Sequence, residues 1–161
     1  KDIENNIADI LRSSRDLDIL FSRLARQISK VIDYKDIFIY LSKRKNPDIF
    51  YQVFPVGERL ISKNDSAMIK YLDEKRQIID LAETEYFKTN RELHQELYDK
   101  QIDIAMPIFY NRQLLGLVII DNKQKVLSVE QLDFLAQASK YLDIAVGSLL
   151  LHRQDMADGK K

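Results

Sequence analysis

The sequence predicts an α+β fold, a three-layer α/β/α sandwich with a central antiparallel sheet. Its elements follow the order helix, two strands, a segment of short helices, a hairpin and a final helix. The predicted strands are apolar on both faces, so each face of the sheet needs a covering layer. We therefore expect the long N- and C-terminal helices on one face and short helices and loops on the other.

The composition suits one globular domain, because 45% of the 161 residues are apolar and 31% are charged. The 25 Lys and Arg balance the 25 Asp and Glu, so no excess charge attracts nucleic acid, and we expect no such partner. The longest apolar run, Leu114 to Ile120, is too short to insert across a membrane. The absence of Cys excludes disulfides and thiolate chemistry and agrees with a cytoplasmic location.

The two ends of the chain carry helical patterns that set the predicted domain boundaries. Apolar residues recur at helical spacing from Ile3 to Ile10 and again from Leu17 to Val31, which predicts an amphipathic helix. We interpret residues 1–14 as a linker or signalling helix and residues 15–152 as the folded domain. Residues 153–161 are interpreted as a polar tail or the start of a further linker.

Two hairpins supply the predicted sheet. The run from Ile37 to Leu41 is β-branched and aromatic without a polar break, and a returning strand follows from Ile49 to Phe54. The second hairpin joins Ile102–Tyr110 to Leu114–Ile120 through a short polar turn. Within it, Gly116 leaves room for a neighbouring group to approach closely.

The middle of the chain is the least regular part. Residues 58–64 are predicted as a polar loop, after which Asp65-Ser66 begins a short helix that ends at Arg76. Residues 77–81 fit a short strand, and residues 83–99 fit a loop and one thin helix that lies over the sheet.

The final helix has a well-marked beginning. Ser128 and Gln131 form a capping box, and Leu127 and Leu132 are spaced for the hydrophobic contact that accompanies it. One apolar face then continues over several turns, which predicts a helix to about His152.

The second half of this pattern resembles the GAF family. Met106-Pro107-Ile108 leads through the hairpin to Leu115-Gly116-Leu117-Val118-Ile119-Ile120, and Leu127-Ser128-Val129-Glu130-Gln131 then begins the capped helix. The first half fits too, because Asp18-Ile19-Leu20 opens the first helix and Gln77-Ile78-Ile79-Asp80 precedes the variable segment. The resemblance covers about residues 15–150. A PAS domain is the nearest alternative, but it is normally shorter, and the long closing helix favours GAF.

The resemblance is closest to GAF modules of bacterial sensor histidine kinases, and it implies a non-catalytic sensory or regulatory function in a two-component system. It implies a homodimer through the terminal helices, a covalently linked output domain, and a cytoplasmic location, alone or in a membrane-bound sensor. A pocket between the sheet and the middle segment would take a small molecule. The alternative is a ligand-free domain that serves only dimerisation or scaffolding, and an enzyme is least favoured. The positions that match the family's pocket are Ile37, Phe54, Ser66, Ala67, Tyr86, Met106 and Ile119.

Several activities of the GAF family depend on residues that this chain lacks. Methionine sulfoxide reduction and bilin attachment through a domain cysteine are both excluded, because the chain has no Cys. The signature of cyclic-nucleotide GAF domains begins with Asn-Lys, as in Asn122-Lys123. Leu127 replaces its Phe, however, and Gln131-Leu132 replace its acidic pair. Cyclic-nucleotide binding is therefore disfavoured.

Two further residues bear on ligands. His94 lies in the segment where some GAF sensors place an axial haem ligand, although a lone His between Glu92 and Glu96 suits a solvated helix. We expect no cofactor and no metal, with haem left as an open alternative. A helix that starts at Asp65 or Ser66 would direct its first backbone N–H groups at the pocket, where they could hold an anionic group.

Overall fold

The computed structural model describes residues 17–43, 45–83, 89–123 and 126–159, with side chains of the last helix described to Leu149. The predicted linker helix over residues 1–14 and the predicted pocket residue Tyr86 lie outside these ranges. In chain order the elements are α1 (Leu17–Ser29), β1 (Tyr34–Lys43), β2 (Asn46–Phe54), β3 (Leu60–Ser62), a 3₁₀ turn (Lys63–Asp65), α2 (Ala67–Lys75), β4 (Ile79–Asp80), α3 (Arg91–Asp99), β5 (Ile104–Tyr110), β6 (Gln113–Asn122) and α4 (Val129–Gly159).

The strands form one antiparallel sheet in the order β3-β2-β1-β6-β5-β4, with β1 and β6 at its centre. This confirms the predicted central sheet. The prediction of an irregular loop over residues 58–64 was wrong in part, because Leu60–Ser62 pairs with β2 as an edge strand. Three residues are too few to show a strand pattern in the sequence.

The terminal helices cover one face of the sheet, as predicted. Aliphatic and aromatic side chains of α1 and α4 pack on alternate residues of the central strands. We call this layer the terminal-helix core. Its members include Phe21, Leu24, Ile28, Ile37, Ile39, Met106, Val118, Leu135, Leu142 and Val146.

The short helices α2 and α3 cover the opposite face. Because successive strand residues point to opposite faces, the other half of each strand belongs to this layer, which we call the short-helix core. Its members include Tyr40, Phe50, Met68, Ile69, Leu72, Leu93, Leu97, Ala105, Leu117 and Ile119. The α+β sandwich is therefore confirmed.

The predicted capping box at the start of α4 is confirmed in both directions. The Ser128 backbone N–H donates to Gln131 Oε1 at 2.9 Å, and the Gln131 backbone N–H donates to Ser128 Oγ at 3.1 Å. Gln131 Nε2 also donates to the Val31 carbonyl at 2.9 Å, which holds the start of α4 against the turn that follows α1. The capping box thus fixes both where α4 begins and how it lies beside α1.

Helix α4 continues past its predicted end at His152 and reaches Gly159. Residues 153–158 contain neither Gly nor Pro, so nothing in that stretch stops a helix before Gly159. The predicted polar tail is therefore helical over most of its length. Within the described ranges, none of the helices combines the length and apolar character needed to span a bilayer.

Candidate functional site

Three of the predicted pocket residues lie on the short-helix face of the sheet. Ser66 is fully buried at the start of α2, Ala67 is half-buried beside it, and Ile119 is buried on β6. Ala67 and Ile119 both belong to the short-helix core. These three residues therefore lie on the side of the sheet that α2 and α3 cover.

Three others face the terminal helices instead. Ile37, Phe54 and Met106 pack in the terminal-helix core, so the prediction that they share a cavity with Ser66 was wrong. The reason is the alternation of side chains along each strand, which sends neighbouring residues to opposite faces.

The strand residues that face α2 and α3 in place of these three are Phe38 and Tyr40 on β1 and Ala105 on β5. The sequence contained a signal for the β1 pair. Along that strand the odd positions Ile37, Ile39 and Leu41 are purely aliphatic, whereas the even positions carry aromatic rings. The aromatic residues Phe38 and Tyr40 are the ones that face α2 and α3.

The space between the sheet and the short helices is occupied by apolar side chains. Met68, Ile69, Leu72, Leu93 and Leu97 of α2 and α3 have no exposed surface. They pack against strand residues of the short-helix core. This filled layer leaves the polar groups of the two helices to face outward, where they form a cleft.

Of the two residues predicted to start this helix, Asp65 and Ser66, it is Ser66 that caps α2, and its cap includes a second residue that the sequence did not reveal. Ser66 Oγ accepts a hydrogen bond from the Ile69 backbone N–H at 3.1 Å and donates to Glu96 Oε2 at 2.6 Å. Glu96 Oε1 accepts from the Met68 backbone N–H at 2.8 Å. The anion-binding position at this helix start therefore holds a carboxylate from α3.

Glu96 is also paired with Lys100 one turn later on α3, with Lys100 Nζ at 2.8 Å from Glu96 Oε2. The Glu96 side chain is only 10% exposed. A mostly buried carboxylate that receives three hydrogen bonds holds its partners in fixed positions. This network joins α2 to α3.

An open cleft of about 660 Å³ lies between these two helices, and we call it the inter-helix cleft. Carboxylates, ammonium groups, a guanidinium and amides line it in close proximity, so it suits a polar small molecule carrying both signs of charge more than an apolar chromophore. The lining residues are Asn64, Asp65, Ser66, Ala67, Lys70, Arg91, Glu92, Gln95, Glu96, Asp99 and Lys100.

Asn122 and Lys123, the pair that matched the start of the cyclic-nucleotide signature, make contacts within the domain. The Asn122 backbone N–H donates to Asp103 Oδ2 at 2.8 Å, and the Lys123 backbone N–H donates to the Asp33 carbonyl at 3.1 Å. These contacts fix the end of β6 against neighbouring segments. A second depression, of about 310 Å³, adjoins them and includes Lys35.

His94 is exposed on α3. In the parts of the chain that the structure describes, no group of three or more His, Asp or Glu side chains is arranged to hold a metal ion.

A polar junction at the far end of α2 was not foreseen. Asp143 of α4 is half-buried, and its Oδ1 accepts a hydrogen bond from the Phe109 backbone N–H at 2.9 Å. Burial raises the pKa of Asp143 to about 6, against the opposing effects of that hydrogen bond and of the nearby Arg76 guanidinium. The Arg76 guanidinium lies 4.0 Å from the centre of the Phe109 ring.

The structure is similar to several solved GAF domains. The GAF domain of an Acinetobacter phosphoenolpyruvate-protein phosphotransferase matches with a TM-score of 0.63 and 19% identity, covering 91% of this chain and 92% of that one. The GAF domain of a two-component sensor histidine kinase from Bacillus halodurans matches with a TM-score of 0.64 and 19% identity, covering 86% and 99%. Residues 122 to 287 of a methyl-accepting chemotaxis protein match with a TM-score of 0.69 and 16% identity, covering 90% and 97%. These likenesses show a common fold.

No curated protein sequence matches this chain significantly. The sequence model of one family, described as GAF domain, matches residues 16–146. That range includes the whole sheet, the helices α1, α2 and α3, and α4 as far as Val146. The chain therefore belongs to the GAF domain family.

Proposed function

We propose that this GAF domain is a non-catalytic sensory module of a bacterial signal-transduction protein, with a histidine kinase as the first candidate parent. In this proposal it binds a small molecule and passes the signal through its terminal helices in a dimer. The observation that carries the proposal is the packing of α1 and α4 side by side on one sheet face, opposite the face with the cleft. Any change on the cleft side must cross one sheet to reach them.

The length of α4 supports a role in transmission. Its 31 residues span about 46 Å at 1.5 Å per residue. Among the α4 side chains that the structure describes, those as far as Leu149 pack in the terminal-helix core. Two of the similar structures belong to signalling proteins, a sensor histidine kinase and a methyl-accepting chemotaxis protein, and they agree with such a use.

We place the ligand in the inter-helix cleft, where Ser66 and Ala67 from the predicted set lie. The cleft offers room for a small metabolite, and its mixed charges supply polar contacts. Lys70 and Arg91 from the two helices line it together, so a bound anionic group would bridge α2 and α3.

The proposed dimer uses apolar side chains that remain outside the core. On the terminal helices Ile19 is 45% exposed, Val129 is 72% exposed and Ile144 is 55% exposed. We also expect the apolar residues from Ile3 to Ile10 to contribute to the dimer, on the basis of their sequence pattern alone. Large apolar side chains on long helices favour helix pairing between two copies.

The ligand proposal is tested by thermal melts of the full chain against a panel of charged metabolites. We expect at least one amino acid, carboxylate or phosphate compound to raise Tm in a concentration-dependent way, because a ligand that binds only the native state stabilises it. A flat response across the panel would reject ligand sensing. The same panel applied to Lys70→Gln, an exposed cleft substitution, should give a smaller shift for the hit compound.

The dimer proposal is tested separately by sedimentation equilibrium. We expect a dimer for the native chain and a monomer for Ile144→Glu, with Ala136→Glu as a control that adds the same single negative charge at an exposed position two turns away on α4. A monomeric native chain at high micromolar concentration would contradict the proposal.

The second candidate function is a ligand-free scaffold. It is favoured by the filled short-helix core and by Glu96, which already occupies the start of α2. A scaffold would remain dimeric in sedimentation while showing no Tm shift with any compound, and the two measurements together separate the candidates.

A further inference from the structure

Three residues of α4, spaced one turn apart, contact successive positions along strand β5. Ser139 Oγ donates to the Pro107 carbonyl at 3.2 Å, and Asp143 Oδ1 accepts from the Phe109 backbone N–H at 2.9 Å. One turn further, Gly147 lies against the Tyr110 ring so closely that an added Cβ would be 2.7 Å from its Cδ1 atom. The helix is thus registered on β5 by contacts at i, i+4 and i+8.

This part of β5 depends on α4 for its polar contacts. Strand β4 pairs with β5 only at Ile104 and Ala105, so the later residues of β5 have no strand partner on that side in the described ranges. Side chains of α4 bind the backbone there instead. Loss of the Asp143 contact would leave the Phe109 N–H without this hydrogen bond. A donor that stays buried without a partner is energetically unfavourable.

Arg76 reaches the same strand residue from the other face of the sheet. It directly follows α2 in a left-handed conformation with φ 56°, and its backbone N–H donates to the Leu72 carbonyl at 3.0 Å. Its guanidinium stacks on the Phe109 ring, and Nη2 donates to the Arg112 carbonyl at 2.8 Å. The positive charge of Arg76 also favours the ionised form of Asp143.

We propose that Arg76, Phe109 and Asp143 form a conformational link through which the end of α2 controls how firmly α4 is held on β5. With Arg76 in place, the Asp143 carboxylate keeps a compensating charge and stays on the Phe109 amide. When α2 moves and Arg76 withdraws, the half-buried carboxylate is left without that charge and turns toward solvent, which frees the amide. The link rests on the proposed function only in that α4 carries the output.

Protonation gives the link a distinctive signature. Among the described residues, Arg76 is the charged group that acts on Asp143 from the elements packed against it. Burial raises the pKa of Asp143 to about 6, so the side chain is ionised at pH 7.5 and largely neutral at pH 5. A neutral carboxyl is not stabilised by the positive charge of Arg76. Removal of Arg76 should therefore weaken the contact between Asp143 and the Phe109 amide at the higher pH only.

The test uses the full chain with Arg76→Gln, and Lys75→Gln as the matched control that removes an exposed cation next to it. Hydrogen exchange at the Phe109 amide, corrected for intrinsic rates, is measured at pH 7.5 and pH 5. We expect exchange in Arg76→Gln to be several-fold faster than in the native chain at pH 7.5 and equal at pH 5, with the control unchanged. Carboxyl NMR should show a higher pKa for Asp143 in Arg76→Gln than in the native chain, because the positive charge of Arg76 lowers it.

Two results would overturn the link. Equal exchange in both chains at both pH values would show that Arg76 does not influence the contact, and faster exchange at both would show a packing effect independent of charge. Asp143→Asn supplies a second check, because adding Arg76→Gln to it should produce no further change. None of these measurements depends on ligand binding or on the dimer, so failure of the link and failure of the proposed function are seen separately.

Discussion

Glu96 of α3 binds the Met68 backbone N–H at 2.8 Å and so serves as part of the cap of another helix. Because the same carboxylate also accepts from Ser66 Oγ, one side chain of α3 satisfies two donors at the start of α2. The helix start is consequently neutralised from within the domain, and a ligand in the inter-helix cleft meets a helix start whose Met68 N–H and Ser66 hydroxyl are already engaged.

Replacement of Glu96 tests how much this contact stabilises the domain. Glu96→Ala removes the acceptor and leaves the Met68 N–H and the buried Ser66 hydroxyl without it, so we expect a loss of about 1–3 kcal/mol in the free energy of unfolding. Urea denaturation measures it. Glu92→Ala, an exposed carboxylate on the same helix, is the control and should change stability by less than about 0.5 kcal/mol. Equal losses in both variants would contradict the structure.

The raised pKa of Asp143 predicts the direction in which the free energy of unfolding changes with pH. The ordinary pKa of an Asp side chain is 3.8, and the pKa of Asp143 in the folded chain is about 6. Between these two pH values the native chain therefore binds more protons at this carboxyl than the unfolded chain does. The contribution of Asp143 to the free energy of unfolding is therefore greatest below pH 4 and is lost as the pH rises through 6.

Asp143→Asn isolates that effect, since it keeps an oxygen acceptor for Phe109 and cannot ionise. We expect the stability of the variant, relative to the native chain, to increase from pH 4.5 to pH 7.5 in urea denaturation. Asp143→Ala, which also removes the acceptor, should be destabilised at both. A difference between Asp143→Asn and the native chain that does not vary with pH would reject the raised pKa.

The turn between β5 and β6 predicts a stabilising substitution. Asn111 and Arg112 both have positive φ, at 54° and 68°, and Tyr110 pairs with Gln113 on either side of them. A side chain at Arg112 costs energy in this left-handed conformation, so Arg112→Gly should stabilise the domain by up to about 1 kcal/mol after the entropy cost of glycine. Arg112→Ala removes the same charge but keeps Cβ, so its Tm should not rise. A similar rise in both would mean that charge, not backbone conformation, is responsible.

Ala67→Trp tests the cleft directly. Ala67 is half-buried and lines the inter-helix cleft, so an indole placed there would fill space that a ligand uses. We expect the variant to lose the ligand-induced rise in Tm while its own unfolding free energy falls by less than about 1 kcal/mol. A loss of about 1–3 kcal/mol, together with an unresponsive native chain, would indicate close packing at Ala67 and defeat the sensor proposal for this cleft.

The layers of the fold could be predicted because long apolar patterns in the sequence indicate which faces of the helices and strands are buried. The stripe from Leu17 to Val31 and the capped helix after Ser128 both have a single dominant period, and strands without polar breaks require cover on two sides. The short strand β3 could not be predicted, since its pairing with β2 depends on a partner distant from its own local sequence.

The candidate site was harder to predict for two physical reasons. In a strand that is apolar on both faces, a one-residue error in assigning the inward side transfers residues such as Ile37 and Met106 to the opposite layer. Contacts such as those between Glu96 and Met68, or Asp143 and Phe109, join residues about thirty positions apart in sequence. Only the packing of complete elements brings those groups together.

The long, uninterrupted α4 has a consequence for building chimeric proteins. Each residue of an α-helix advances the chain by about 100° around the axis, so a reporter domain joined through a helix continued from α4 would change its rotational phase with every inserted residue. An insertion of seven residues nearly restores the starting phase, whereas two residues turn the reporter to the far side of the helix. A series of fusions with one to seven added residues should therefore show reporter activity that varies periodically with linker length.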